Sequence, residues 1–554
     1  MSSKDKTRLG YVILVISLLI GGLLRFYKLN WGENYFFHPD EYHIVTAVGR
    51  LINNGFYSNP KLFSYGSLTV YLIYITRQIL VSLGSINPNI FIVGRFLAAL
   101  FSTLTLINIF LLAKLIFPEK YFIPAITTFA AAFVPGLIQQ AHFLTPESFM
   151  TFWITLSTLF FVKYFQKQKL QNLFLSAVFM GLAGGTKISS LAAIPFFLLI
   201  LSIVNVKKQG VGKNIQKCIA FLFVTFAFFF ISFPYSILDF ENFRSITFYE
   251  SSLSTGSINV FYTRSFENSS PFFFQLSKIY PYTMGPQLLI SSFLGMLLAV
   301  VKIYKEKNKE ILTHIILLGI FLSYFVFNSL LYTKWTRFVH PTIPFLIIFA
   351  FVGIYEITKY LKSPLVKKCT EMVLLLLIVV PTVTWGLMFF QIYKKSDVRI
   401  EASEWIKKNV NTNKLIITET GNTLEVPLSG SYNTIPFDFY NLDENPILFQ
   451  NLINYLSEGD YFIIQSRRIY FNHKDKNKFP IVNNFYSALF SGKLGFEKVN
   501  AFSSFPYLKI GAWKMKINDE SAEETWSVFD HPVIMVYKKT VPYPVSYYEK
   551  LLRQ

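Results

Sequence analysis

The segment His38-Pro39-Asp40-Glu41-Tyr42-His43 sets two adjacent carboxylates between two imidazoles. A carboxylate beside low-dielectric surroundings gains proton affinity and can take a proton from a hydroxyl as a general base. The same residues also suit a helix start. Proline is tolerated in a first turn, and acids there meet the positive end of the helix dipole. A second acid, Glu147, follows Thr145-Pro146 and so falls in the first turn of another helix; capping and chemistry both account for it. Basic residues stand at the ends of apolar runs: Arg95, Lys187 after Gly184-Gly185-Thr186, and Arg337 in Lys334-Trp-Thr-Arg-Phe-Val-His340-Pro341. Lys61 shares a polar segment with Asp40. Such a side chain either binds a phosphate, snorkels, or pairs with a buried carboxylate. His340, before a proline, either caps the next helix or joins the basic group. Together these acids and bases suit a reaction in which an acceptor hydroxyl loses a proton while a phosphate leaves.

The elements that must hold these residues are membrane spans. Hydrophobic residues make up 52% of the 554 and charged ones only 15%, whereas a soluble domain carries roughly a quarter charged residues. Apolar runs lie at about 9–26, 91–115, 121–140, 146–164, 171–186, 188–206, 216–236, 284–303, 311–331, 340–360 and 370–392. Each nears the roughly 20 residues a spanning helix needs, so we expect about eleven transmembrane helices. The segment 66–84 is apolar but carries Arg77 and Gln78 mid-way, and it reads as interfacial or re-entrant. The net charge of +20 resides largely in short loops and sets topology rather than nucleic-acid binding. With the N-terminus cytoplasmic and 66–84 not crossing, the lysine-dense loops fall on one side. They include Glu119 and Lys120, Lys163 and Lys167, Lys207 and Lys208, Lys305 to Lys309, and Lys367 and Lys368. The first run is read as an uncleaved span, because no small-residue cleavage site follows it.

The same parity exports 27–90, 139–147, 237–283, 332–340 and the C-terminal region. Residues 1–393 then form the membrane domain, with the first outer loop at 27–90, and 394–554 form a mixed α/β domain on the outer surface. Short apolar stretches at 414–418, 461–465 and 532–537 read as strands, and Val398 to Asn409 reads as an amphipathic helix. The two cysteines, Cys218 and Cys369, are too few for a disulfide framework. A transporter or lipid flippase is the alternative. It should place ionisable groups near mid-membrane and repeat its halves; here the acids stand at the ends of spans and the halves do not repeat.

The order of motifs resembles the GT-C superfamily of glycosyltransferases, and within it the protein O-mannosyltransferases and the lipid A aminoarabinose transferases. The resemblance rests on Arg25-Phe-Tyr-Lys-Leu29 with His38-Pro-Asp-Glu-Tyr42, on Gly94-Arg-Phe-Leu-Ala-Ala-Leu100, and on Thr145-Pro-Glu147. Further matches are Gly181-Leu-Ala-Gly-Gly-Thr-Lys187, Arg337-Phe-Val-His-Pro341 and Ala402-Ser-Glu-Trp-Ile-Lys407. It implies a polyprenyl-phosphate-linked sugar donor used at the extracytoplasmic face of a plasma membrane, with inversion, and a lipid, glycan or protein acceptor. It implies Asp40 as base and Glu41 as a group orienting the base or acceptor. Glu147 stands where the aminoarabinose branch has a second acid, usually Asp, and His142 stands where many relatives have Arg. Arg95 and Arg337 are then expected on the leaving phosphate, with Lys187, Lys61 and His340 beside them. No cofactor and no metal are expected; the less favoured alternative has Asp40, Glu41 and His38 holding a divalent cation, as in oligosaccharyltransferase-like relatives.

Overall fold

A computed structural model describes residues 3–118, 120–204, 206, 210–305, 310–420, 425–428, 430 and 432–554. The loop charges Glu119, Lys207, Lys208, Lys307 and Lys309 lie outside the described residues. The chain divides into two units, one of residues 1–29, 40–252 and 270–390, the other of 30–39, 253–269 and 391–554.

The first unit is helical and is built as a multi-pass membrane protein. Among the described residues eight helices are long and apolar enough to cross a bilayer: Thr7–Phe26, Ile90–Ile116, Glu147–Lys167, Val211–Ser232, Pro286–Lys305, Ile311–Leu330, Thr336–Lys359 and Pro364–Lys394. A ninth candidate, Phe122–Ala132 with Pro135–Ala141, bends by 58°, where Pro135 enters and breaks the ladder. The runs at 171–186 and 188–206 form the shorter helices Leu170–Thr186 and Ile188–Ile203. The expected count of eleven thus becomes eight long spans, one bent pair and two short apolar helices. Leu68–Ser82, within the ambiguous segment 66–84, has 15 residues. At 1.5 Å per residue it is roughly 22 Å long, short of a core of about 30 Å.

Close backbone approaches fix the polar elements to this frame. Gly66 N–H donates to Thr186 O at 3.0 Å. A Cβ on Gly66 would stand 1.9 Å from Gly185 O, and one on Gly185 would stand 1.8 Å from Ser232 Oγ. Only glycine fits at either place, so the loop bearing Tyr65 and the helix end bearing Lys187 are locked together. Arg25, fully buried, bridges three elements by donating to Ser102 Oγ, Gly21 O and Ala132 O. His142 lies between Ile138 O at 2.8 Å and Tyr27 O at 3.0 Å.

The second unit contains a five-stranded mixed sheet. Its strands are β1 (Leu415–Glu419), β2 (Asn433–Phe437), β3 (Tyr461–Ile464), β4 (Phe496–Phe502) and β7 (Ile534–Lys539), in the order β2-β1-β3-β7-β4. β1 pairs in parallel with β2 and β3, while β7 runs antiparallel to β3 and β4. The strands alternate their faces. Ile417, Phe462 and Tyr537 enter one core with Phe439, Leu452 and Phe485. Ile416, Ile463 and Val536 enter the other, beneath helix Val398–Asn409. Period-two alternation with both faces covered explains why these strands read as continuous apolar runs. A separate hairpin pairs β5 (Tyr507–Ile510) with β6 (Trp513–Lys516).

Candidate active site

Asp40 and Glu41 open the helix Pro39–Asn54, and adjacent residues on a helix face different neighbours. Glu41 turns inward. Its Oε1 accepts from Arg95 Nε and from the Leu144 N–H, both at 2.8 Å, and its Oε2 accepts from Arg95 Nη2 at 2.7 Å. Arg95 Nη1 donates to Leu29 O at 2.8 Å, and neither side chain is exposed. Arg95 thus spends its fork on Glu41, which corrects the expectation that it stands open toward a phosphate.

Asp40 pairs instead with Arg337, and both keep partial exposure, 18% and 20%. Arg337 lies in the 3-10 turn Thr336–Thr342 that leads into helix Ile343–Lys359, with its guanidinium 5.0 Å from the Trp335 ring centre. Glu147, fully buried, accepts from Lys187 Nζ at 2.8 Å. Lys187 sits at the end of helix Leu170–Thr186, 5.2 Å from the Phe338 ring and 5.6 Å from that of Tyr65. His340 Nδ1 lies 2.7 Å from Thr151 Oγ1.

These pairs form one electrostatic cluster. Burial first, then the Asp40 carboxylate, pushes the Tyr65 phenol well above the usual tyrosine range; Glu147 and Glu250 add to this and Arg337 opposes it. Burial also raises the Glu250 carboxyl, against the pull of Arg337 and Lys187, while Asp40 pushes it up and His43 pulls it down. Three buried polar atoms of the cluster have no protein partner: Arg337 Nε, Glu147 Oε2 and His340 Nε2. Buried polar groups are almost always hydrogen-bonded, so an orphaned donor, acceptor and imidazole nitrogen beside an open ion pair mark a place for a polar ligand.

The structure therefore gathers Asp40, Glu147, Lys187, Arg337 and His340, and sets Glu41 with Arg95 apart as a closed pair. Lys61 is exposed, with a left-handed backbone at φ 51°, and no ion pair of its ammonium is found among the described residues. Tyr65 and Glu250 are additions. Tyr65 had no sequence signal beyond its place in the first outer loop. Glu250 is, with Glu241, one of two acids in the aromatic helix Phe240–Thr255. Among the described residues no three His, Cys, Asp or Glu side chains converge as a metal group. Glu41 has both oxygens occupied, so the pair Asp40–Glu41 does not fit a divalent cation.

Comparison with known proteins places this arrangement. A family model describing dolichyl-phosphate-mannose-protein mannosyltransferases matches residues 79–236, the stretch that carries Arg95, Glu147 and Lys187. In that stretch, less than a third of its length, the chain is similar to these mannosyltransferases. Among solved structures it is similar in fold to the Archaeoglobus fulgidus oligosaccharyltransferase tethered to an acceptor peptide containing the NVT sequon. That match has TM-score 0.54 and 13% identity, over 87% of this chain and 72% of that one. It is also similar to ArnT from Cupriavidus metallidurans bound to undecaprenyl phosphate, with TM-score 0.50 and 12% identity, over 96% of this chain and 98% of that one. No curated protein matches the sequence. At such identities the solved structures speak for the fold alone, and the family match speaks for similarity within residues 79–236.

Proposed function

We propose that the enzyme moves a sugar from a polyprenyl-phosphate donor to an acceptor hydroxyl at the extracytoplasmic face, with inversion. The N-terminus is cytoplasmic in this reading, and the acceptor is a lipid, a glycan or a protein. The observation that carries it is the open pair Asp40–Arg337 with the orphaned Arg337 Nε beside it. A guanidinium with a free edge suits a phosphate oxygen, and its present partner is a carboxylate suited to take a proton. ArnT, solved with undecaprenyl phosphate, supports a donor of this class, and the sequon peptide on the oligosaccharyltransferase supports a macromolecular acceptor.

In the reaction Asp40 takes the acceptor O–H proton, the acceptor oxygen bonds the anomeric carbon, and the bond from that carbon to the phosphate oxygen breaks. The electron pair leaves with the polyprenyl phosphate. One displacement inverts the centre. The donor phosphate competes with Asp40 for Arg337, so binding it loosens the ion pair and raises the basicity of Asp40 when the base is needed. Lys187, steadied by Glu147, adds positive charge where the leaving phosphate gains negative charge. The buried Glu41–Arg95 pair holds the turn that presents Asp40, and no step passes through it or through a metal.

The test is transfer in membranes supplied with a panel of radiolabelled polyprenyl-phosphate sugars. Label appearing in an acceptor, with an inverted linkage by product analysis, supports the reading and names both substrates. If no donor in the panel is consumed by folded protein, the donor assignment fails.

A further inference from the structure

The β5–β6 hairpin is amphipathic across its two faces. Its register pairs Tyr507 with Lys516, Leu508 with Met515, Lys509 with Lys514 and Ile510 with Trp513. Successive side chains point to opposite faces. One face therefore carries Leu508, Ile510, Trp513 and Met515, and the other carries Tyr507, Lys509, Lys514 and Lys516. The apolar face is partly uncovered, with Ile510 65% and Trp513 54% exposed. The basic face sets two lysines opposite each other, which is unfavourable in water. Residues 498–518 contain no Asp or Glu. Partial burial first, then Lys514 and Lys395, push the Lys516 ammonium down. A lone two-stranded ribbon is at best marginal in water, so both faces call for a partner.

The hairpin's location says which. Lys395 directly follows the last residue of the span Pro364–Lys394, and its Nζ lies 4.7 Å from the Tyr507 ring centre. The basic face thus stands within a residue of a membrane-crossing helix end. Tryptophan at the headgroup level and lysines toward phosphates are the composition of an interfacial anchor. We infer that the β5–β6 hairpin docks into the outer-leaflet interface, with Trp513 and Ile510 at the acyl boundary and Lys509, Lys514 and Lys516 on the phosphates of anionic phospholipids. This tethers the α/β unit to the bilayer independently of the transfer reaction.

The experiment uses the full-length protein in nanodiscs of phosphatidylcholine, with and without phosphatidylglycerol, made with lipids brominated high on the acyl chain. The difference between the native chain and Trp513→Phe isolates the Trp513 fluorescence. We expect the bromine to quench that component more strongly when phosphatidylglycerol is present. The gain should shrink at high salt and fall by about twofold or more in K509E/K514E/K516E. The salt arm needs no variant, so misfolding of the triple substitution leaves the test intact. A Trp513 component untouched by bromine and open to aqueous iodide in both bilayers overturns the inference. So does quenching that appears in pure phosphatidylcholine only on adding one polyprenyl phosphate per protein, which would make the hairpin a donor contact.

Discussion

Glu41 and Arg95 are both fully buried, and four hydrogen bonds tie them to each other, to Leu29 O and to the Leu144 N–H. Asp40 and Arg337, one residue along the same turn, keep about a fifth of each side chain exposed and leave Arg337 Nε without a partner. Both are arginine–carboxylate pairs, and both join helix Pro39–Asn54 to a long apolar helix. The difference lies in saturation. A pair whose every oxygen and nitrogen is used has nothing to offer a ligand, and breaking it strands a buried charge. A pair with a free edge and access to water can exchange its partner for a phosphate. Charge and position alone do not say which of two arginines can still meet a ligand; the state of their donors does.

The sharpest way to break this contrast is to neutralise Asp40 while keeping its shape. We expect Asp40→Asn to lower transfer by about 10³-fold or more, since a positioned base contributes roughly 10² to 10⁴, with thermal unfolding in detergent little changed. Arg337→Ala should follow at about 10²- to 10³-fold. Normal transfer by Asp40→Asn would remove Asp40 from the base role.

The closed pair should respond in the opposite currency. We expect Arg95→Ala to cost about 3–5 kcal/mol of stability, seen as a large drop in unfolding temperature or loss of the folded protein. Replacing both partners, as in Glu41→Leu with Arg95→Met, should recover most of that loss. About 1–3 kcal/mol stays missing, because the Leu144 N–H loses its acceptor. If the double variant stays folded yet loses transfer as fully as Asp40→Asn, Arg95 acts on the donor and the contrast collapses.

Why the sequence separated these pairs poorly is physical. The turn bearing Asp40 and Glu41 was legible, because Pro39 and two acids before an apolar periodicity specify a helix start, and the apolar runs located every long span. The α/β unit was legible in the same way, from the short apolar stretches at 414–418, 461–465 and 532–537. The pairing was not. Arg95 stands 54 residues from Glu41 and Arg337 stands 297 from Asp40, and nothing local to either arginine says which acid it meets. Glu250 was hidden because an isolated acid between polar and aromatic residues of a helix reads as a solvated face. The runs at 171–186 and 188–206 were legible as the apolar helices Leu170–Thr186 and Ile188–Ile203, but an apolar run does not say whether its helix is buried in protein or in lipid.

The α/β unit holds a further buried group of charges whose contribution to stability can be read from pH. His531 lies between Asp519, 3.0 Å from Nε2, and Asp530 at Nδ1, and is fully buried. Asp530 also accepts from Tyr393 and Asp519 from Trp526. Burial disfavours the imidazolium, but the two carboxylates prevail and hold it up at about 10. A histidine whose folded value exceeds its unfolded one, about 6.5, lends stability that is complete below that unfolded value. The stability is lost as pH rises through about 10. Glu419 works in the same direction: burial lifts it to about 7, despite hydrogen bonds from Tyr486 and from the Gln465 N–H. Its proton favours the fold below about 4.5, and that advantage disappears as pH rises through 7. We therefore expect the stability of this unit to fall steadily from pH 5 to pH 10, by a few kcal/mol in all, seen as a falling unfolding temperature. His531→Gln should flatten the upper part of that fall. A profile that rises with pH would show that the imidazole is neutral in the folded protein.

The smallest expected effect tests the open pair from its other side. Glu250 faces Arg337, Lys187, Asp40 and His43, and burial raises its carboxyl. Once Arg337 engages a donor phosphate, Glu250 loses part of the positive field that keeps it ionised and holds its proton more readily. An amide in its place copies that protonated state, so Glu250→Gln should cost about tenfold or less in kcat/KM. The loss should sit mainly in KM, because the change touches positioning and not the proton taken from the acceptor. The acid limb of the pH–rate profile should move little, since it belongs to Asp40. The reverse ranking would be decisive. If Glu250→Gln abolishes transfer while Asp40→Asn leaves a tenth of it, the base is Glu250. Asp40 would then be the residue that holds Arg337 until the donor arrives.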